Sequence, residues 1–149
     1  MITAQRTNSG DKDFIDLVSS LDALLSVLDG REHDFYNQFN KIDKIKYVVV
    51  AYDDGIPVAC GAVKKYDKDT MEVKRMFTHE AYRGRGIASL VLAELEEWAK
   101  ELAFSKCILE TGKRQPEAVR LYKKNGYRQI PNFGQYATMQ NSVCFEKHL

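Results

Sequence analysis

The stretch Tyr82-Arg83-Gly84-Arg85-Gly86-Ile87-Ala88 restricts what this chain can fold into more than any other. A strand-like run, Met71-Glu72-Val73-Lys74-Arg75-Met76-Phe77, precedes it, and a long amphipathic run from Ile87 to Ala103 follows. Strand, glycine turn and helix in that order leave bare backbone N–H groups at the positive end of a helix, where a phosphate can bind. The two glycines let backbone approach a ligand with no Cβ in the way. Arg83 and Arg85 add charge suited to phosphate oxygens. Two common phosphate loops are excluded by spacing. GxxxxGK[ST] is absent, and a dinucleotide fingerprint would need Gly or Ala at position 89, where Ser89 stands. A basic turn that merely begins a helix fits the same residues.

The bulk properties narrow the choices. At 149 residues the chain has the length of one domain with a single core, so residues 1–149 are read as one unit. A formal net charge of +1 offers no global attraction to nucleic acid or membrane, and neither is an expected partner. No apolar run approaches membrane-spanning length. The N-terminus lacks the basic and apolar parts of a secretory signal. Cys60, Cys107 and Cys144 are odd in number, far apart and set in apolar strand-like surroundings. They read as buried free thiols in a reducing cytoplasm rather than as catalytic thiols. His33, His79 and His148 lack metal-ligand spacing, so no metal is expected.

Met1 to Thr7 suits a short first strand, and Asn8-Ser9-Gly10-Asp11 a turn into a helix. Phe14, Leu17, Val18, Leu21, Leu24, Leu25 and Leu28 recur at three- and four-residue spacing, which predicts an amphipathic helix with a break near Asp22. A second short helix is expected over Glu32 to Phe39. Tyr47 to Tyr52, Ile56 to Tyr66 and Met71 to Thr78 read as consecutive strands joined by tight turns, an antiparallel meander. That order argues against a βαβ start, in which the glycine loop follows the first strand. The helix after the loop carries an apolar stripe of Ile87, Val91, Leu95, Trp98 and Leu102. Lys106 to Glu110 is then a buried strand and Thr111 to Arg114 a loop. Pro116 to Asn125-Gly126 is a short helix, and Tyr127 to Ile130 and Ser142 to Lys147 are the last strands.

Arg83-x-x-Gly86-x-Ala88 matches Arg/Gln-x-x-Gly-x-Gly/Ala, and this resembles the pyrophosphate loop of the GNAT superfamily of N-acetyltransferases. Two further pieces agree in the right order: Val73 to Phe77 before the loop, and Ala118-Val119-Arg120-Leu121-Tyr122 with Gly126-Tyr127 after it. The run Leu109 to Glu117 is similar to that of small bacterial members. One departure is visible. Many members carry Asn three residues before the Ala of the later helix, and here it is Gln115. The resemblance spans nearly the whole chain and implies an α/β GNAT (acyl-CoA N-acyltransferase) fold, with a mixed, mostly antiparallel central sheet flanked by helices.

The resemblance also implies a chemistry. Acetyl-CoA would be the donor, and the acceptor a small-molecule or peptide amine. The pyrophosphate would lie on the backbone of Arg83, Gly84, Arg85, Gly86, Ile87 and Ala88. The pantetheine arm would pair with the strand at Met76 and Thr78 and reach Gln115. A backbone N–H near Met76 or Phe77 would stabilise the oxyanion. Tyr122 would protonate the departing thiolate, although a tyrosine on an amphipathic helix is also simply a core residue. Glu72 is the leading base, with a solvated or Lys74-paired carboxylate as the plain alternative; Glu110 is the second candidate. An acceptor pocket would be lined near Arg31, His33, Tyr36 and Asn40, and near Phe133, Tyr136 and Met139. Lys64 and Lys65 would suit an acidic substrate, but a charged pair on a strand is usually a solvated face. Transfer would be by direct attack, with no metal and no covalent enzyme intermediate. The family admits a homodimer. Two other readings stay open: an acyl-CoA-binding module without transfer, and a nucleotide-binding domain that uses the glycine loop for another phosphate.

Overall fold

The computed structural model describes residues 1–37 and 44–149. The end of the second expected helix, with Phe39, and the pocket candidate Asn40 lie outside the described residues. The strands are β1 (Ile2–Thr7), β2 (Tyr47–Asp53), β3 (Ile56–Lys65), β4 (Thr70–Thr78), β5 (Lys106–Gly112), β6 (Arg128–Ile130) and β7 (Ser142–His148). They form one sheet in the order β1-β2-β3-β4-β5-β7-β6. β1 to β4 make the antiparallel meander that the turn signals predict. β4 and β5 run parallel, because α3 crosses over between them.

The helices are α1 (Lys12–Leu28), α2 (His33–Asn37), α3 (Ile87–Glu101) and α4 (Pro116–Lys124). α1 begins at Asp11, whose carboxylate accepts from the Phe14 N–H at 3.1 Å and satisfies a first-turn donor. It runs unbroken through Asp22. That residue does not interrupt the helix because it lies outside the buried stripe, where its carboxylate pairs with Arg75. Phe14, Leu17 and Val18 of α1 cover one face of the sheet, against Val48, Val50, Cys60 and Ala62. α3 and α4 cover the other face. There Val91, Leu92, Leu95 and Ala99 are fully buried beside Tyr122 and Phe145. Each such leucine contributes about 2 kcal/mol through burial.

Two local features differ from a plain reading of the sequence. β5 continues through Thr111 and Gly112, expected to be loop, because β7 supplies partners for both in Val143 and Ser142. β4 carries a bulge. Cys60 pairs with Phe77 and Ala62 with Lys74, so Gly61 faces two residues, Arg75 and Met76. Arg75 takes the strained conformation, at φ 59°. The extra residue shifts the alternation. Met71, Val73 and Met76 all belong to the α3–α4 face, while Phe77 packs against the α1 face. Without the bulge the Arg75 side chain would point under α3. A Cβ on Gly61 would collide with Met76 Sδ and lie 2.9 Å from Leu95 Cδ1, so the bulge needs glycine opposite it. The three cysteines are free and buried. No helix among the described residues is long and apolar enough to cross a membrane.

Candidate active site

β4 and β5 are joined only at their starts, by Thr70 with Lys106, Met71 with Cys107 and Glu72 with Ile108. Among the described residues, β4 beyond Glu72 keeps β3 as its only partner strand, and β5 beyond Ile108 keeps only β7. The sheet therefore splits into a V that opens toward the C-terminal ends of both strands. The facing edge of Val73 to Thr78 is free to pair with an extended ligand. A cavity of about 110 Å³ lies at this split. Glu72, Met76, Glu110, Gln115 and Tyr122 all line it.

Tyr122 comes from α4. Its ring packs edge-on to Tyr127 at 5.8 Å and tilted against Phe145 at 6.3 Å. Its hydroxyl makes no hydrogen bond among the described residues. Burial pushes its pKa up, and the nearby Glu110 carboxylate adds to the rise. The phenol stays protonated at neutral pH, as a proton donor must. Gln115 stands just before Pro116, at the start of α4, and its side chain caps nothing.

Two carboxylates share the cavity. Glu72 lies 3.7 Å from the Lys74 ammonium. Burial raises the Glu72 pKa and lowers that of Lys74, each shift opposed by the other's charge. Glu110 accepts from Ser142 Oγ at 2.8 Å, and Ser142 Oγ also lies 2.8 Å from the Tyr36 hydroxyl. Burial raises the Glu110 carboxyl to about 7, helped by Asp29 and Glu72 and opposed by Ser142 and Lys74. Tyr36 and Tyr136 complete the wall, with Phe133 and Met139 packed behind them. Arg31 is exposed and outside the cavity.

The glycine turn follows directly from the open end of β4. Gly84 and Gly86 have φ of 78° and 76°, a region that other residues enter at a cost, and open space surrounds both. Gly86 is the N-cap of α3. No side chain among the described residues caps this end, and no acidic residue occupies the first turn. The positive end of the helix is thus left uncompensated by the chain. Ile87 is buried and anchors that first turn. The two arginines are not simply free. Arg83 Nε donates to the Thr78 carbonyl at 3.1 Å, and the Arg85 guanidinium lies 5.1 Å over the Tyr82 ring. Thr78 and residues 83–88 therefore lie at the open end of the split, and Phe77 points its ring away toward α1.

The sequence does not single out Lys74, Arg75 and Asp29 as cavity residues, nor Ser142 as the hydroxyl that bonds Glu110. A signal for the first two existed. The apolar spacing Met71, Val73, Met76 slips by one residue, which marks a bulge. Ser142 and Asp29 come from distant segments and carried no local sign.

A mixed sheet that splits beside a glycine turn defines the class of acyl-CoA-dependent acyltransferase folds. A solved structure from Klebsiella pneumoniae, assigned as an acyl-CoA N-acyltransferase, superposes with a TM-score of 0.84 and 27% identity, covering 100% of this chain and 98% of that one. A GNAT-family acetyltransferase from Elizabethkingia anophelis with acetyl-CoA bound shares the fold, with a TM-score of 0.69 and 19% identity over 99% of this chain and 98% of its own. An IAA acetyltransferase from Azospirillum brasilense is 30% identical over 151 residues, 99% of this chain and 98% of the relative. The model of the Acetyltransferase (GNAT) family matches residues 16–127. This chain belongs to the GNAT family, and it is an acetyl-CoA-dependent N-acetyltransferase.

Proposed function

We propose that this chain acts as a single domain in the cytoplasm and transfers the acetyl group of acetyl-CoA to a primary amine by direct attack. One observation carries the reading: the split between β4 and β5 brings Tyr122, Glu110 and Glu72 onto one cavity beside an unpaired strand edge. The backbone of Arg83 to Ala88 holds the pyrophosphate at the uncapped end of α3. The free edge of β4 at Met76 to Thr78 receives the pantetheine arm as an added strand, with Gln115 beside it. A β4 backbone N–H near Met76 or Phe77 steadies the oxyanion.

Of the two carboxylates, Glu110 is the better matched base. Its carboxyl titrates at about 7, so it is available to take a proton at neutral pH and returns it readily. Glu72 is also raised, but its charge is held by Lys74. Glu110 accepts a proton from the incoming ammonium, the freed amine adds to the thioester carbonyl to form the N–C bond and the oxyanion, and collapse of the oxyanion breaks the C–S bond. Tyr122 protonates the departing thiolate, and the second proton leaving nitrogen restores its phenol.

Calorimetric titration with acetyl-CoA, with ATP and NAD as controls, tests the base of this reading. Micromolar binding of acetyl-CoA alone is expected. Equal binding of ATP or NAD, or no binding of acetyl-CoA, would overturn the assignment of the turn and the strand edge.

A further inference from the structure

Two buried cations line the cavity, and neither is fully hydrogen-bonded by the carboxylates around it among the described residues. Lys74 is 9% exposed, and its partner among the described residues is Glu72 at 3.7 Å, longer than a good charge-assisted hydrogen bond. An ammonium has three donors, so most of its capacity is unfilled. Beside it, Arg75 gives one nitrogen to Asp22, while its Nε is buried with no acceptor among the described residues. An unfilled buried donor on a charged group is costly, and a fold that keeps one at a cavity, beside a loosely paired ammonium, suits an anion there.

The rest of the cavity limits what that anion belongs to. Glu110 and Glu72 supply negative charge for an ammonium in the same space. Leu21, Leu25, Tyr36 and Tyr136 form an apolar and aromatic wall. One molecule seated there would present an ammonium, an anion close to it and an apolar group. The alternation of β4 fixes the sides. Val73 and Met76 face α3 and α4, so Glu72 and Lys74 project to the opposite face, toward α1.

Resting on the acetyl-transfer reading above, we infer that the acceptor is an amino acid with an apolar side chain, its carboxylate held by Lys74 and its amine placed at Glu110. Lys74 acts here as a binding and specificity residue. The sequence had pointed to Lys64 and Lys65 for an acidic substrate; both are exposed, and neither lines the cavity.

The test uses the full chain, acetyl-CoA and matched acceptors: leucine and phenylalanine, their carboxamides, and the corresponding amines without the carboxyl group. Release of the CoA thiol gives kcat/KM for each. The free acids should exceed their amides and amines on the order of 10- to 100-fold, the range for one charge-assisted hydrogen bond. Lys74→Met should bring the acid-to-amide ratio toward one, and Lys74→Arg should keep most of it. Because the acid, amide and amine are compared on the unaltered enzyme, the test survives a variant that fails to fold. Amides or amines used as well as the acids would overturn the amino-acid assignment and leave acetyl transfer standing. No turnover of any acceptor, with acetyl-CoA bound in calorimetry, would overturn it too. Failure of acetyl-CoA to bind would overturn both readings and be seen separately.

Discussion

Glu110 illustrates how one side chain acquires a role from its surroundings. In water it would be an ordinary carboxylate. At the end of β5 it loses solvent, gains the Asp29 and Glu72 charges as neighbours, and keeps only Ser142 and Lys74 to steady its anion. A base works in its deprotonated form, so turnover should rise as pH climbs through about 7 and then level off. Glu110→Gln should remove that rising limb and lower kcat by roughly 10²- to 10⁴-fold. Glu72→Gln should keep the limb and shift its midpoint down, because a repelling charge is lost. Steady-state rates from pH 5 to 9 for the three proteins decide the matter; a limb that vanishes in Glu72→Gln would transfer the base to Glu72. Tyr122→Phe retains the ring that packs on Tyr127 and Phe145 and deletes only the hydroxyl. It should slow turnover and leave acetyl-CoA affinity within about threefold, because the lost group acts on the leaving sulfur. Unchanged turnover would end the acid assignment.

At the scale of elements, the turn and α3 were plain in the sequence because glycine spacing and an apolar stripe are local signals. Gly84 and Gly86 both sit at positive φ, and Val91, Leu95 and Ala99 are buried as the stripe requires. The β4 bulge was less plain, since a one-residue slip shows only when a partner strand is known. The split between β4 and β5 was invisible in composition and periodicity: it is an absence of pairing between segments more than thirty residues apart. The family resemblance implies it only indirectly, through the pantetheine arm that would pair with the strand at Met76 and Thr78. The proposed preference for Glu110 as base has a related cause, because the environment of Glu110 is shaped by Ser142 and Asp29, both remote in sequence. Gly86→Asp separates the turn's two duties. Aspartate is a favoured N-cap that suits the positive end of α3, and it tolerates left-handed backbone better than most residues. The variant should therefore hold its thermal midpoint within a few degrees. Its carboxylate would also confront the pyrophosphate, and acetyl-CoA affinity should fall at least about 100-fold by calorimetry. Retained affinity would show that the turn only starts a helix.

At the scale of the whole molecule, the site should cost stability, and the cost should depend on pH. The Glu110 carboxyl lies at about 7 in the folded protein against 4.5 as the reference value. The folded state therefore binds this proton more tightly than the unfolded one. Its contribution to stability is fully present below about 4.5 and is lost as pH rises through about 7, amounting to about 3 kcal/mol. Glu72 is raised as well and acts with the same sign. Glu146, held low by Arg128, and Glu101, held low by Arg6, act with the opposite sign. Their contributions are present above the ordinary glutamate value and lost as pH falls below it, so they do not mask the window from 4.5 to 7. Glu110→Gln keeps a carbonyl for the Ser142 hydroxyl and removes the charge. At pH 8 it should be more stable than the parent by about 1–3 kcal/mol, several degrees in a domain of this size. At pH 5 the two should melt nearly together. Thermal denaturation at both values checks the difference. Equal midpoints at pH 8 would mean that Glu110 is not held against its own ionisation, and the case for it as a base near neutrality would fall with it. A gain in stability at pH 8, joined to lost turnover, is what a buried base requires, since the desolvation that tunes its proton is the same desolvation that destabilises the fold.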